Sequence, residues 1–333
     1  MELAFNEKHG KLYEKHEQAK VETFYFENQH GKMANVFLKR EIPDCPCEDI
    51  LYDIITPYGF GGPMVIESTA KTQLIQDYKE AFSLYCKKEN IVSEFVRFHP
   101  IENNDFREHF DGKVEYVGPQ IIRDLSHEMN ENISKRILKQ YRSNCRKGMQ
   151  VEFDQTGERL DDFLDIYYST MERNNAQDYY YFDQAFFHEL HEKMKGNFVY
   201  TFILMDGIPI SGGLILYEET YAYGFLGGTR EGYYDLGPNV NMLIEEIKWL
   251  KDHGLSYYLL GGGYKGNKDG IYQFKRKFAN NSEHDYYIGK KIHDSDRYEE
   301  LVKTRFKKTS DQLDTSYFPA YRAKLPQLNQ SSS

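Results

Sequence analysis

The chain has 333 residues, and its 42 Lys and Arg stand against 52 Asp and Glu for a net charge of −10. That length suggests two domains or one large one, and 40% apolar with 28% charged residues describes a folded globular chain rather than a disordered one. No run approaches the roughly 18 apolar residues of a membrane helix, the first residues lack the plan of a signal peptide, and the acidic total excludes a nucleic-acid coat. The cytoplasm is the expected compartment, with no membrane span and no DNA partner.

Taken in chain order, the first predicted elements are strands at 21–26, 33–40 and 50–56, which end in Tyr58-Gly59-Phe60-Gly61-Gly62. A helix follows at 70–88, because Leu74, Tyr78, Ala81, Phe82 and Tyr85 recur every three or four residues. An apolar strand comes next at 91–98. The same order returns 165 residues later: strands at 197–205, 208–217 and 220–225, then Tyr223-Gly224-Phe225-Leu226-Gly227-Gly228. Pro238 opens a helix at 239–252 with Leu243, Ile247 and Leu250 on one face, and a strand follows at 256–260. Two copies of a β-β-β-α-β unit make an α+β fold and not a doubly wound one.

Between the copies, residues 134–147 hold Lys135, Arg136, Lys139, Arg142, Arg146 and Lys147 without one acid. Lys135, Lys139, Arg142 and Arg146 fall at i, i+4, i+7 and i+11, so they share one helix face. Such a face in an acidic protein suits an anionic ligand bearing phosphate.

Other motifs do not hold up. Cys45-Pro46-Cys47 is C-x-C without a second pair, so Cys45, Cys47, Cys86 and Cys145 read as reduced thiols. His188 and His191 are three apart, where a zincin helix needs four, and no metal site is expected. The glycine run 261–269 lacks the Lys-Ser/Thr ending of a P-loop and the acid-bearing βα unit of a dinucleotide fold. Asp294-Ser295-Asp296 is too short a match to D-x-D to carry weight.

Three segments carry a family resemblance: residues 56–63, residues 95–100, and the pair Tyr258 to Gly263 with Ile271-Tyr272-Gln273-Phe274-Lys275-Arg276-Lys277-Phe278. Over roughly 20–290 the chain resembles the Fem family of peptidoglycan bridge-forming aminoacyltransferases. The resemblance implies two tandem GNAT-like domains, each a mixed, mostly antiparallel sheet flanked by helices. Drawn on the sequence, they are 1–148 with the basic helix, 149–310 with the catalytic cleft, and a tail at 311–333. It also implies that Lys275, of the Phe-Lys pair, stabilises charge during acyl transfer, a role that fits the oxyanion formed when an amine attacks an activated acyl group. Tyr223 is the second candidate catalytic group, able to hydrogen-bond the acyl oxygen or relay a proton. Candidate substrate-binding residues are Tyr58, Arg97 and His99 in the first domain, Lys139, Arg142 and Arg146 on the basic helix, and Phe274.

The expected function is transfer of an acyl or aminoacyl group onto an amine of an envelope precursor, an anionic nucleotide- or lipid-linked saccharide of peptidoglycan or surface polysaccharide. No bound cofactor is expected, and the donor is aminoacyl-tRNA or acyl-CoA. The stretch 229–239 departs from the [RQ]-x-x-G-x-[GA] loop of CoA-binding relatives, since one residue rather than two separates Arg230 from Gly232. Acyl-CoA-dependent acetylation of an amino sugar, and a non-catalytic saccharide-binding scaffold, are the alternatives.

Overall fold

The structure, a computed structural model, describes residues 2–43, 45, 48–174, 181–307 and 317–323. The short helices α1 (Glu7–Lys11) and α2 (Glu14–Glu17) precede strands β1 (Ala19–Asn28), β2 (Gly31–Glu41), β3 (Tyr52–Ile55) and β4 (Met64–Ser68). Next come α3 (Lys71–Lys88), β5 (Ile91–Arg97), α4 (Asn104–Glu108), β6 (Lys113–Asp124), α5 (Met129–Asn132), α6 (Lys135–Arg146) and β7 (Gln150–Asp154). The chain continues with α7 (Leu160–Arg173), α8 (Gln184–Lys193), β8 (Phe198–Met205), β9 (Ile208–Tyr217), β10 (Tyr221–Thr229) and α9 (Pro238–Asp252). It closes with β11 (Tyr257–Gly261), α10 (Gly270–Arg276), β12 (Glu283–Ile292) and α11 (Ser295–Lys307).

Two compact units result. One comprises residues 117–286 with Glu2 and Leu3; the other comprises 4–116 and the described residues from 287 onward. Within the second of these, β2 pairs antiparallel with β1, β3 and β4, β3 runs parallel to β5, and β12 closes antiparallel on β5. In the 117–286 unit, β7, β8, β9 and β10 form an antiparallel meander, β10 runs parallel to β11, and β6 closes antiparallel on β11. Each unit therefore has a meander, one parallel step across a helix, and an antiparallel closing strand, which is the expected α+β repeat.

The division differs from the boundary drawn on the sequence between 148 and 149. The closing strand of each sheet comes from the far side of the other unit in sequence: β6 closes the sheet of the later strands, and β12 returns to close that of the earlier ones. Residues 117–148, with α6, accordingly belong to the later unit. Strand patterning shows that a segment is a strand but not which partner it takes, so this exchange had no local signature.

Apolar periodicity explains the packing. Leu74, Ile75, Tyr78, Phe82 and Cys86 turn one face of α3 onto Met33, Phe37, Ile54 and Val96. In the other unit Val240, Leu243, Ile244, Ile247 and Leu250 do the same for α9, against Val199, Ile215, Ala222 and Tyr258. Pro238 sits at the first position of α9, where its missing N–H costs nothing, after Gly237 in the left-handed region at φ 61°. α6 packs antiparallel to α9, with Asn144 Nδ2 donating to Asn241 Oδ1 at 2.9 Å and Tyr141 donating to Glu245.

Of the expected tail 311–333, residues 311–316 and 324–333 lie outside the described residues. Residues 317–323 pack back on their unit, where Tyr321 joins Leu51, Val92 and Leu301. Cys86 is a buried free thiol and Cys145 an exposed one, while Cys45 is disulfide-bonded, against the reading of four reduced thiols. Sequence spacing alone carried no information on that oxidation. No helix of the described residues is long and apolar enough to cross a membrane.

Candidate functional site

The two units treat their parallel strand pair differently. β10 and β11 are paired only from Tyr221↔Tyr257 to Tyr223↔Leu259. Beyond that point β10 bulges between Gly224 and Leu226 and follows β9 to Thr229, while β11 follows β6 to Gly261. A crevice opens where they part, and Gly224 at its edge is exposed. In the other unit the corresponding strands stay joined beyond Ile55↔Phe95. Thr56 N–H donates to Phe95 O at 3.1 Å, Gly61 N–H donates to Arg97 O at 2.8 Å, and Gly61 bridges Phe98.

Lys275 lies at the end of the open crevice. It rides on α10, whose N-cap is Asp269: one carboxylate oxygen accepts from Tyr272 N–H at 3.0 Å and the other from Tyr264 N–H at 2.8 Å. This cap folds residues 263–269 into a tight loop, and Gly266 in it, at φ +78°, lies so close to Val117 O that any side chain would collide. α10 then carries Tyr272 into the core with Ile121 and Tyr258, Phe278 just past its end joins them, and Phe274 packs half-buried beside them. The geometry leaves Lys275 facing the end of β11, where its Nζ donates to Gly262 O at 3.1 Å. A Cβ added to Gly261 would stand 3.0 Å from that nitrogen, and one added to Gly262 3.0 Å from Gln120 Nε2. Lys275 is part-exposed as a residue, yet burial of its ammonium lowers its pKa to about 8, with Asp269 pulling weakly the other way. A cation in such a setting interacts strongly with a developing negative charge.

Tyr223 stands at the last paired position before the crevice, half-buried, with its ring 6.4 Å from that of Tyr221. Behind the crevice, on the α9 side, sits Glu246. Its carboxylate is 1% exposed and accepts from Tyr258 OH at 2.7 Å. Burial raises its pKa to about 7, against the opposing hydrogen bond from Tyr258. Gln120 and Glu246 were not singled out in the sequence. Gln120 has no signal there, whereas Glu246 could have been noticed as an acid between Leu243 and Ile247 on an apolar stripe.

Lys139, Arg142 and Arg146 are all exposed, as are Lys135, Arg136 and Lys147, because Ile137, Leu138, Tyr141 and Asn144 take the inner face of α6. Among the described residues none of the six cations makes an ion pair. α6 starts beside the end of α10, with Ser134 N–H donating to Lys277 O at 2.9 Å. It ends where Asn144 Nδ2 donates to Leu236 O at 3.2 Å, just before α9. The cationic face thus runs roughly 17 Å from the neighbourhood of Lys275 to the entry of α9.

Tyr58, Arg97 and His99 lie in the other unit. Arg97 Nη1 donates to Thr56 O at 2.9 Å and its guanidinium covers Phe95, so it fastens β3 to β5. His99 is fully buried, and its Nδ1 accepts from the N–H groups of Ile101 and Glu102. Tyr58 is half-buried with its ring 5.9 Å from Tyr13. The structure gives Arg97 and His99 local bonding partners, and their unit's strand gap is closed.

This geometry, a parallel pair splayed at a bulge above a capped helix, is that of the GNAT acyltransferase fold, and the Acetyltransferase (GNAT) domain model matches residues 132–276. A crystal structure of FemX superposes with a TM-score of 0.67 at 13% identity, covering 88% of this chain and 92% of that one. The structure of L-PGS from Bacillus licheniformis does so at 0.55 and 12% identity, over 93% and 99%. In sequence, a stretch of 96 residues is 30% identical to the Lipid II:glycine glycyltransferases of Staphylococcus epidermidis and Staphylococcus haemolyticus. That stretch is 27% of this chain and spans about a fifth (22%) of the length of those relatives. The chain shares the fold of these solved structures, and residues 132–276 match the GNAT domain model.

Proposed function

We propose that the chain transfers an activated aminoacyl group onto an amine of a lipid-linked peptidoglycan precursor at the cytoplasmic side of the envelope. The observation that carries this reading is the Lys275 ammonium at the open end of the β10–β11 crevice. An amine attacking an acyl ester there builds an oxyanion within reach of a partly desolvated cation, while proximity in the crevice supplies much of the rate. Tyr223, at the mouth, hydrogen-bonds the acyl oxygen or returns the proton to the leaving hydroxyl. The cations of α6 hold the phosphates of the acceptor.

An aminoacyl ester of tRNA is favoured as donor over acyl-CoA by the loop before α9. A CoA pyrophosphate needs free backbone N–H groups there. Four of these groups are committed, those of Arg230, Tyr233, Leu236 and Gly237 to the Ile210, Arg230, Tyr233 and Tyr234 carbonyls, and Pro238 has none. Tyr234 further closes the loop, with Arg173 lying 3.8 Å over its ring. The test is a transfer assay with lipid-linked disaccharide-peptide as acceptor and either glycyl-tRNA or acetyl-CoA as donor. Product from the tRNA donor that disappears in Lys275→Ala supports the reading. Product from acetyl-CoA alone, or unchanged turnover in the variant, overturns it.

A further inference from the structure

A second cleft lies wholly in the unit of residues 4–116 and 287 onward, on the sheet face that carries α11 and the segment 317–323. Its volume is about 580 Å³, and its walls include Lys113, Glu115, Lys290, Tyr298, Tyr317 and Phe318. Nothing in the acyl-transfer reading uses these residues. Their arrangement is specific. Lys113 Nζ and Lys290 Nζ both lie 2.7 Å from the Glu115 carboxylate, one on each oxygen, so two ammonium groups converge on a single acid. Lys290 does so with its side chain only 17% exposed. The two lysines also hold the Glu115 carboxyl below its ordinary range, despite some opposing burial.

The rest of the lining is largely aromatic. Phe318 stacks on Tyr298 with ring centres 6.0 Å apart and also meets Phe95, the cross-strand neighbour of Lys290. Tyr317 stands beside them, 48% exposed. Two cations sharing one carboxylate leave a net positive charge, and the neighbouring rings offer a flat apolar surface. That pairing suits a ligand with an anion on one side and a ring face on the other. We propose that this cleft binds a phosphate-bearing ring compound, its phosphate between Lys113 and Lys290 and its ring against Tyr317 and the Phe318–Tyr298 pair. Glu115 holds the lysines in place when the cleft is empty and swings out when the phosphate enters, because two anions cannot share that position.

The ring can be a nucleobase or a sugar, and the titration distinguishes them. The full chain is titrated calorimetrically with uridine 5′-monophosphate, N-acetylglucosamine 1-phosphate and inorganic phosphate. One ring phosphate is expected to bind at least tenfold more tightly than inorganic phosphate. Lys113→Gln with Lys290→Gln should weaken it tenfold or more, and Glu115→Gln should tighten it. Tyr317→Ala should weaken the ring compound while leaving inorganic phosphate unchanged. Lys113→Gln alone, at a side chain 74% exposed, keeps the test readable should the double variant not fold. Lys275→Ala should bind normally, so failure of the transferase reading leaves this one standing. Ring phosphates that bind no better than inorganic phosphate, or binding that survives loss of both lysines, would overturn it.

Discussion

Lys275 places its ammonium 3.1 Å from the carbonyl oxygen of Gly262, at the end of the strand that has just left its parallel neighbour. The contact aims the cation without neutralising it, since the nearest acid, Asp269, is committed to capping α10. Burial lowers its pKa to about 8, so the charged form is lost as pH rises through that value. Turnover should therefore fall above about pH 8. Lys275→Arg, whose guanidinium stays charged, should move that limb upward, and Lys275→Ala should cost roughly 10²–10³ in kcat. The pH profiles of kcat for the three proteins check this, with circular dichroism to show an intact fold.

Glu246 gives a stability prediction of definite sign. Its folded pKa, about 7, lies above the ordinary carboxylate value of 4.5, so between these pH values the folded state holds more protons than the unfolded one. Stability from this group is full below about 4.5 and is lost as pH rises to about 7. The linked cost is roughly 3 kcal/mol, to order of magnitude. Glu246→Gln keeps an acceptor for Tyr258 OH and removes the titration. Relative to the variant, the native chain should lose urea resistance from pH 5 to pH 7 and stay below it at pH 8. Parallel curves for the two proteins would show that the carboxyl does not titrate in this range.

Much of this was readable in the residues, for physical reasons. The β-β-β-α-β order followed from periods of two and of three to four, and both parallel steps fall where the helices at 70–88 and 239–252 require a crossover. The α6 cations are exposed because their spacing is helical and the alternate face is apolar. What was not readable depends on partners distant in sequence. Arg97 and His99 look like ligand-binding groups beside a Tyr-Gly-Phe motif, but they acquire their local roles only once β3 and β5 are joined. The same pentapeptide echo accompanies an open crevice in one unit and a closed one in the other, because the bulge at Gly224–Leu226 and the bridge at Gly61 are matters of pairing. Gln120 reaches Gly262 only through the exchange of closing strands.

The α6 face should behave as a binding surface rather than a stabilising one. Its cations are exposed and lack carboxylate partners among the described residues, so charge reversal of Lys139, Arg142 and Arg146 should change unfolding free energy by no more than about 0.5 kcal/mol per site. In the transfer assay the same substitutions should raise KM for the phosphate-bearing acceptor with little effect on kcat. They should also flatten the salt dependence of KM. A fall in kcat with unchanged KM would place the acceptor elsewhere.

Asp53 anchors residues 317–323 through charge buried against charge. It is 1% exposed and accepts from Arg40 Nε at 2.7 Å and Arg322 Nε at 2.5 Å, with Tyr321 OH at 3.3 Å and Ser93 bonded to Tyr321 in turn. Removing only the acid strands Arg40 in the interior with Glu17 as its remaining carboxylate, 3.3 Å away. Asp53→Ala should therefore cost about 3–5 kcal/mol, the range for a broken buried pair. Replacing Asp53→Leu together with Arg40→Met removes the more buried of the two stranded cations, leaving Arg322 at 20% side-chain exposure with its bond to Glu41 O, and should recover part of that loss, since a buried pair and a packed apolar pair are often near in energy. Chemical denaturation of the single and double variants measures both values. If the double variant is as unstable as the single, the anchor depends on the hydrogen bonds to Arg322 and Tyr321 and not on the Arg40 pair.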